Sequence, residues 1–208
     1  MIEKLKQLLK LIYLDKLVLS LKELNYSVIH SIFLFIKGKS DFKIKFQGFQ
    51  IVVFHSNYFK YINKPVWIRL LDNSYEKQEI KAIKKYLKSG MRVLELGGSL
   101  GITSVLINSI LEDKKNHFVC EANPNLLDNL KFNKKLNNSK FEIINKPVSN
   151  QEREVCFNYN HISLGGSIFD KSEKYRDDKH GIYNNIKTKT ISPLQIENQF
   201  KLDFDCLI

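Results

Sequence analysis

The sequence predicts an α/β fold built around a parallel sheet, and three observations carry that expectation. Apolar strand-like runs at Val93–Leu96, His117–Cys120 and Phe141–Ile144 alternate with helical patterns. The first run feeds a glycine turn, Gly97-Gly98-Ser99-Leu100-Gly101, and the second ends on an acid, Glu121. Alternation of this kind favours parallel pairing through right-handed crossovers, because each helix returns the chain to the same end of the sheet.

The elements follow from local chemistry. Ile2, Leu5, Leu8, Leu9 and Ile12 recur at helical spacing with Lys4, Lys6, Lys10 and Lys16 between them, so the chain opens on a basic amphipathic helix. Residues 2–22 suit a peripheral membrane contact, or packing on the domain or on a second copy as a homo-oligomer; apolar stripes more often face protein. The run Val28–Ile36 contains His30 and Ser31 and falls short of the roughly 20 apolar residues of a bilayer span. Lys10, Asp15, Lys16, Lys22 and Glu23 interrupt any signal-peptide core. The expected compartment is therefore the cytoplasm, and three cysteines without paired spacing fit reducing conditions.

Phe42-Lys43-Ile44-Lys45-Phe46 alternates, Gly48 turns and Phe49–Phe54 continues, which predicts a β-hairpin. Helix and hairpin together form an extension over 1–72, ahead of a domain over 73–208. Asn73-Ser74 is expected to cap a helix from Tyr75 to Lys88, ended by Ser89-Gly90. After the second strand of the sheet, Asn123 is a capping residue and Pro124 suits the first helical position. Leu126, Leu127, Leu130 and Leu136 continue as an amphipathic helix to Asn137-Asn138. Val155–Tyr159 alternates like a half-buried strand, Gly165-Gly166-Ser167 reads as a hairpin turn, and Asp203–Ile208 reads as the opening of a fourth parallel strand.

The glycine spacing narrows the ligand. A dinucleotide site needs Gly-x-Gly-x-x-Gly so that the backbone can approach a pyrophosphate, whereas Ser99 stands here where the second glycine belongs. The pattern Glu95-x-Gly97-x-x-x-Gly101 instead resembles motif I of the S-adenosylmethionine-dependent methyltransferases with a Rossmann-like fold. Tyr75-Glu76, Val93 to Gly101, Phe118 to Pro124 and Ile143 to Ser149, in that order, resemble the FkbM-type members of that class. The likeness covers roughly Tyr75 to Ile208 and is strongest between Val93 and Asn125. Gly98-Ser99 departs from the family's usual Ala-Asn, Ala122 from its first proline, and Pro147 from a small residue.

The resemblance implies a Rossmann-like methyltransferase sheet with helices on both faces, S-adenosylmethionine as cofactor, and O-methylation of a hydroxyl on a sugar, glycan, lipid-linked or small-molecule acceptor. It implies a cofactor site made by Glu95, Gly97, Gly98, Ser99, Gly101, Glu121, Ala122 and Asn123. The glycine turn would lie under the methionine part, its amides and the helix start suiting a carboxylate. Glu121, twenty residues past Gly101, would accept the ribose hydroxyl protons. Tyr75 and Glu76 would approach the methionine amine. In the family the fourth strand continues into an Asp-x-Glu-Gly segment, so the expectation is a sheet incomplete at the C-terminus and a truncated member. The alternative is a degenerate cofactor-binding module that performs no transfer of its own.

Methyl transfer from an activated sulfonium depends on alignment and on removal of one hydroxyl proton, and needs no metal. His30, His55, His117, His161 and His180 have no paired spacing, and Cys120, Cys156 and Cys206 form no Cys-x-x-Cys, so no metal site is expected. His161, Asp170 and His180 follow the third strand, where the family places acceptor-side elements, but no catalytic residue is assigned. The net charge of +11 raises the question of nucleic acid. Only four of the 33 basic residues are arginines, Arg69, Arg92, Arg153 and Arg176. Dispersed lysine gives non-specific attraction rather than bidentate recognition, so no specific nucleic-acid partner is expected.

Overall fold

The computed structural model describes residues 42–54, 69–70, 73–159, 165–169, 176–177, 181–182 and 184–208. The helix expected over residues 2–22, the run at 28–36, and His30, His55, His161, Asp170 and His180 lie outside the described residues.

The described chain begins with a hairpin, β1 (Phe42–Phe46) and β2 (Phe49–Phe54), followed by α1 (Lys77–Tyr86), β3 (Val93–Leu96), α2 (Ile102–Ile110) and β4 (His117–Cys120). One 3₁₀ turn (Pro124–Leu126) leads into α3 (Leu127–Leu136) and β5 (Glu142–Ile144). There follow β6 (Glu154–Tyr159), β7 (Gly166–Phe169), β8 (Arg176–Asp177), β9 (Gly181–Ile182), β10 (Asn184–Lys189), α4 (Pro193–Phe200) and β11 (Cys206–Leu207).

The central sheet is parallel, in the order β11-β3-β4-β5. The chain winds outward from β3 through β4 to β5, then returns to the other side of β3 as β11. That reversal makes a topological switch point, the place where open parallel sheets leave a crevice beyond the carboxyl ends of their strands. β10-β6-β7 forms a separate antiparallel sheet, tied to the first by the Val148–Ile191 bridge.

Side-chain alternation sends neighbouring strand residues to opposite faces. Val93 and Val119 pack with Ile80 and Ile83 of α1, Val105 and Ile107 of α2, and Leu130 of α3. Leu94, Phe118 and Cys120 pack on the other side with Ile191 and Ile196, flanked by Phe200 and Phe204. Helices therefore cover both faces, as a parallel sheet requires. The hairpin shares the first of these cores through Phe46 and Ile51, and the Phe46 ring stands edge-on to Tyr75 with centroids 6.3 Å apart. Its turn, Gln47-Gly48, has positive φ at both residues (51° and 92°), the geometry that matches the twist of paired strands.

Two local expectations need correction. α1 begins at Lys77 with Glu76 as N-cap, not at Tyr75 behind a Ser74 cap. The N–H groups of Ser74 and Tyr75 both donate to the Arg69 carbonyl, which closes a turn ahead of the helix and leaves Glu76 left-handed with no side-chain cap. The helix also stops at Tyr86, with Leu87 extended as its C-cap. The second correction concerns Gly166, which is the first residue of β7, paired with Tyr159, and not the tip of a turn. A Cβ there would collide with the Phe157 ring, so the cross-strand aromatic demands glycine.

Gly98 is constrained in the same way. A Cβ at this position would overlap Val119 Cγ1 and come within 3.1 Å of Leu130 Cδ2. The alanine usual at this position in the FkbM-type enzymes that the sequence resembles thus does not fit against these neighbours as they stand. Gly98→Ala should cost about 1–3 kcal/mol by overpacking, read as a melting temperature lowered by several degrees; an unchanged melt would show that Val119 and Leu130 yield freely.

Candidate functional site

Beyond the carboxyl ends of β3 and β4, the glycine turn is folded back on the neighbouring strand. Gly97 N–H and Gly98 N–H both donate to the Cys120 carbonyl, at 2.8 and 3.1 Å, and Gly101 N–H donates to Gly98 O at 2.7 Å. Gly97 and Gly101 take positive φ (100° and 80°), and Ser99 is left-handed at 47°. Asn133 Nδ2 donates to the Leu100 carbonyl at 2.8 Å and Asn129 Nδ2 at 3.5 Å, so α3 clamps the end of the turn where α2 begins.

Glu121 joins the two loops. Its Oε2 accepts from Ser99 N–H at 2.6 Å and its Oε1 from Asn123 N–H at 2.7 Å, while Asn145 Nδ2 donates to its carbonyl at 2.7 Å. The residue is 6% exposed. Each carboxylate oxygen keeps a second lone pair for a further donor. Asn123 also accepts from Asn125 N–H, the expected capping bond, with Pro124 at the first position of the 3₁₀ turn. Ser99 Oγ, Asn123 Nδ2 and Asn125 Nδ2 are buried without a hydrogen-bond partner. The two loops thus gather three buried donors that a further polar group could satisfy, since buried polar groups are normally paired.

A cleft of about 60 Å³ opens beside the turn, lined by Tyr75, Glu76, Glu79, Glu95, Gly97, Gly98, Ser99, Thr103 and Ile208 among others. That volume is several times the roughly 10–15 Å³ a single water needs. Thr103 Oγ1 donates to Glu76 Oε2 at 2.5 Å, and Tyr75 bonds the same carboxylate. Glu95 is 3% exposed, and its Oε2 lies 3.0 Å from His117 Nε2. Leu96, 46% exposed, adds an apolar wall.

Of the residues expected to bind a cofactor, Glu95, Gly97, Gly98 and Ser99 line the cleft, and Glu121, Ala122 and Asn123 stand next to it across the Ser99–Glu121 bond. Gly101 is the N-cap of α2, pressed against Leu130. One expectation fails: the amides of Gly97, Gly98, Ser99 and Gly101 are bound within the protein and do not await a carboxylate. The opening amides of α2 are the remaining anion donors, because the first turn of a helix has no internal acceptors. Tyr75 and Glu76 line the same cleft as the turn. Sequence reasoning missed Glu79, Thr103, Asn145 and the buried partner of Glu95. Glu79 was findable as the acid three residues beyond Glu76, on the same helical side.

Burial raises the pKa of Glu121, opposed by the Asn123 and Ser99 amides. Burial likewise raises that of Glu76, opposed by the hydrogen bonds of Thr103 and Tyr75. The Cys120 thiol is pushed up to about 12 by burial, so it packs and does not act as a nucleophile. Comparison with protein-family models, with curated proteins and with solved structures finds no match, so the functional reading rests on this geometry and on the motif.

Both raised carboxyls hold their protons to higher pH folded than unfolded. Stability should therefore fall as pH climbs from about 4.3, the ordinary glutamate value, through the displaced folded values. Glu121→Gln should flatten part of that decline in urea titrations run across pH. A wild-type and variant pair with parallel pH profiles would show that Glu121 is not displaced.

Proposed function

We propose that this chain is an S-adenosylmethionine-dependent methyltransferase that O-methylates a hydroxyl on a sugar, glycan, lipid-linked or small-molecule acceptor. The observation that carries the reading is Glu121, clamped to the glycine turn at the switch point of a parallel sheet. The donor set fits such a cofactor. Orphan donors on Ser99, Asn123 and Asn125 suit the acceptor atoms of a nucleoside, and Glu121 suits its ribose hydroxyls. Glu76, Glu79 and Glu95 surround the cleft on a chain whose net charge is +11, a local reversal of sign that favours a cationic head group.

When bound, the cofactor supplies a methyl group already activated on sulfur. The protein's part is alignment and exclusion of water. The left-handed Ser99 and the Asn133 clamp fix the turn, Thr103 and Tyr75 orient Glu76, and the helix-start amides at Ile102 and Thr103 are available to a carboxylate. The resemblance to the FkbM-type enzymes supports oxygen as the acceptor atom. Three unpaired cysteines, Cys120, Cys156 and Cys206, suit a reducing cytoplasm, and no helix among the described residues is long and apolar enough to cross a membrane. A cleft of this modest volume leaves little room for an acceptor beside the cofactor, which favours one second reading, a module that binds the cofactor without transferring its methyl group.

Calorimetric titration with S-adenosylmethionine and S-adenosylhomocysteine, followed by methylation of mixed hydroxyl acceptors, separates these readings. Binding with turnover is expected; binding without turnover supports the second, and no binding overturns both. Glu121→Ala should weaken binding by about 1–3 kcal/mol, the scale of lost hydrogen bonds to a charged group, and an unchanged dissociation constant would remove Glu121 from the site.

A further inference from the structure

The Glu95–His117 pair is the most deeply buried ionisable contact among the described residues, and the cofactor reading alone gives its histidine no task. His117 is fully buried at the start of β4, and its ring packs against Phe141 with centroids 5.3 Å apart. Glu95 lies two residues along β3 from Val93, which pairs with His117, so both side chains project to the same face of the sheet. A carboxylate only accepts, so with Glu95 ionised it is His117 Nε2 that donates, across 3.0 Å. His117 Nδ1 has no partner. One ring nitrogen is thus committed to Glu95 and the other to nothing, which is a poor bargain for a core residue whose value lies only in packing.

Glu95 also lines the cleft. We propose that His117 is a positioning residue: by holding Oε2 of Glu95 it turns the other carboxylate oxygen toward the cleft, where it receives the ammonium of the ligand's amino-acid head. This rests on the reading of the site as one for S-adenosylmethionine. A free carboxylate at this depth would swing among rotamers; one tethered from below presents a fixed acceptor, so less ordering is left for the ligand to impose. The division of labour is then between Glu121 for the nucleoside end and the His117–Glu95 pair for the amino-acid end.

The test compares wild type, His117→Leu and His117→Gln for binding of two probes: S-adenosylhomocysteine, and 5′-methylthioadenosine, which keeps the nucleoside and lacks the amino-acid head. His117→Leu should bind S-adenosylhomocysteine about tenfold or more weakly while binding 5′-methylthioadenosine as wild type does. Gln can place an amide N–H near the Nε2 position, so His117→Gln should recover most of the loss. Equal weakening for both probes, or no weakening for either, overturns the proposal and leaves the cofactor reading intact. If wild type binds neither probe, the cofactor reading fails instead. The pairing is then judged by imidazole nitrogen NMR, which also serves if His117→Leu does not fold. A His117 Nε2 signal that moves in Glu95→Gln upholds the tether, and one that does not move overturns it.

Discussion

A single buried carboxylate organises the end of the sheet. Glu121 would be costly to bury alone, since an ionised group loses its hydration, and it is retained because the amides of Ser99 and Asn123 replace that water with short charge-assisted bonds. Those amides belong to different loops, one after β3 and one after β4. The same bonds that satisfy Glu121 therefore fix the separation of the two strand ends. Asn145, beyond β5, holds the Glu121 carbonyl and extends the arrangement to a third strand.

The backbone around this carboxylate is held in conformations it would not choose alone. Ser99 and Glu76 are left-handed without being glycine, and they approach the cleft from opposite elements, the turn after β3 and the residue before α1. Such conformations persist where the surroundings over-determine them. Here Asn133 secures the Leu100 carbonyl, Thr103 secures Glu76, and the Cys120 carbonyl absorbs two glycine amides. The consequence of this rigidity is that the glycine amides are committed to structure, and only the opening amides of α2 are left without internal acceptors.

Much of this was legible in the sequence because its signals are local. Apolar runs ending on Gly97 and Glu121 announced β3 and β4; Asn123-Pro124 announced a helix start, which opens as a 3₁₀ turn before α3; alternation with Gly48 announced the hairpin. The Ser192-Pro193-x-Gln195 signature of α4 was equally local, and the structure forms its capping box, yet the segment went unread as a helix. β10 likewise alternates half-buried and exposed residues and was missed. Other features depend on distant partners. Ser74 has every local property of a cap, and the Arg69 carbonyl, which draws the amides of Ser74 and Tyr75 into a turn, removes it from that role. The need for glycine at 98 comes from Val119 and Leu130, and the fate of Glu95 from His117, none of which is near in sequence.

The acidic lining of the cleft stands against the sign of the whole molecule. Lysines scattered over the surface act through water, where their influence fades within about 8 Å at physiological ionic strength. Glu76 and Glu95 act at contact, in surroundings that screen far less. A positively charged visitor thus meets an unwelcoming outer field and is held only on arrival, whereas a negative one is drawn to the surface and turned back at the mouth. Added electrolyte erases the outer field and barely touches the inner one, so this protein should tell the two kinds of visitor apart better in brine than in dilute buffer.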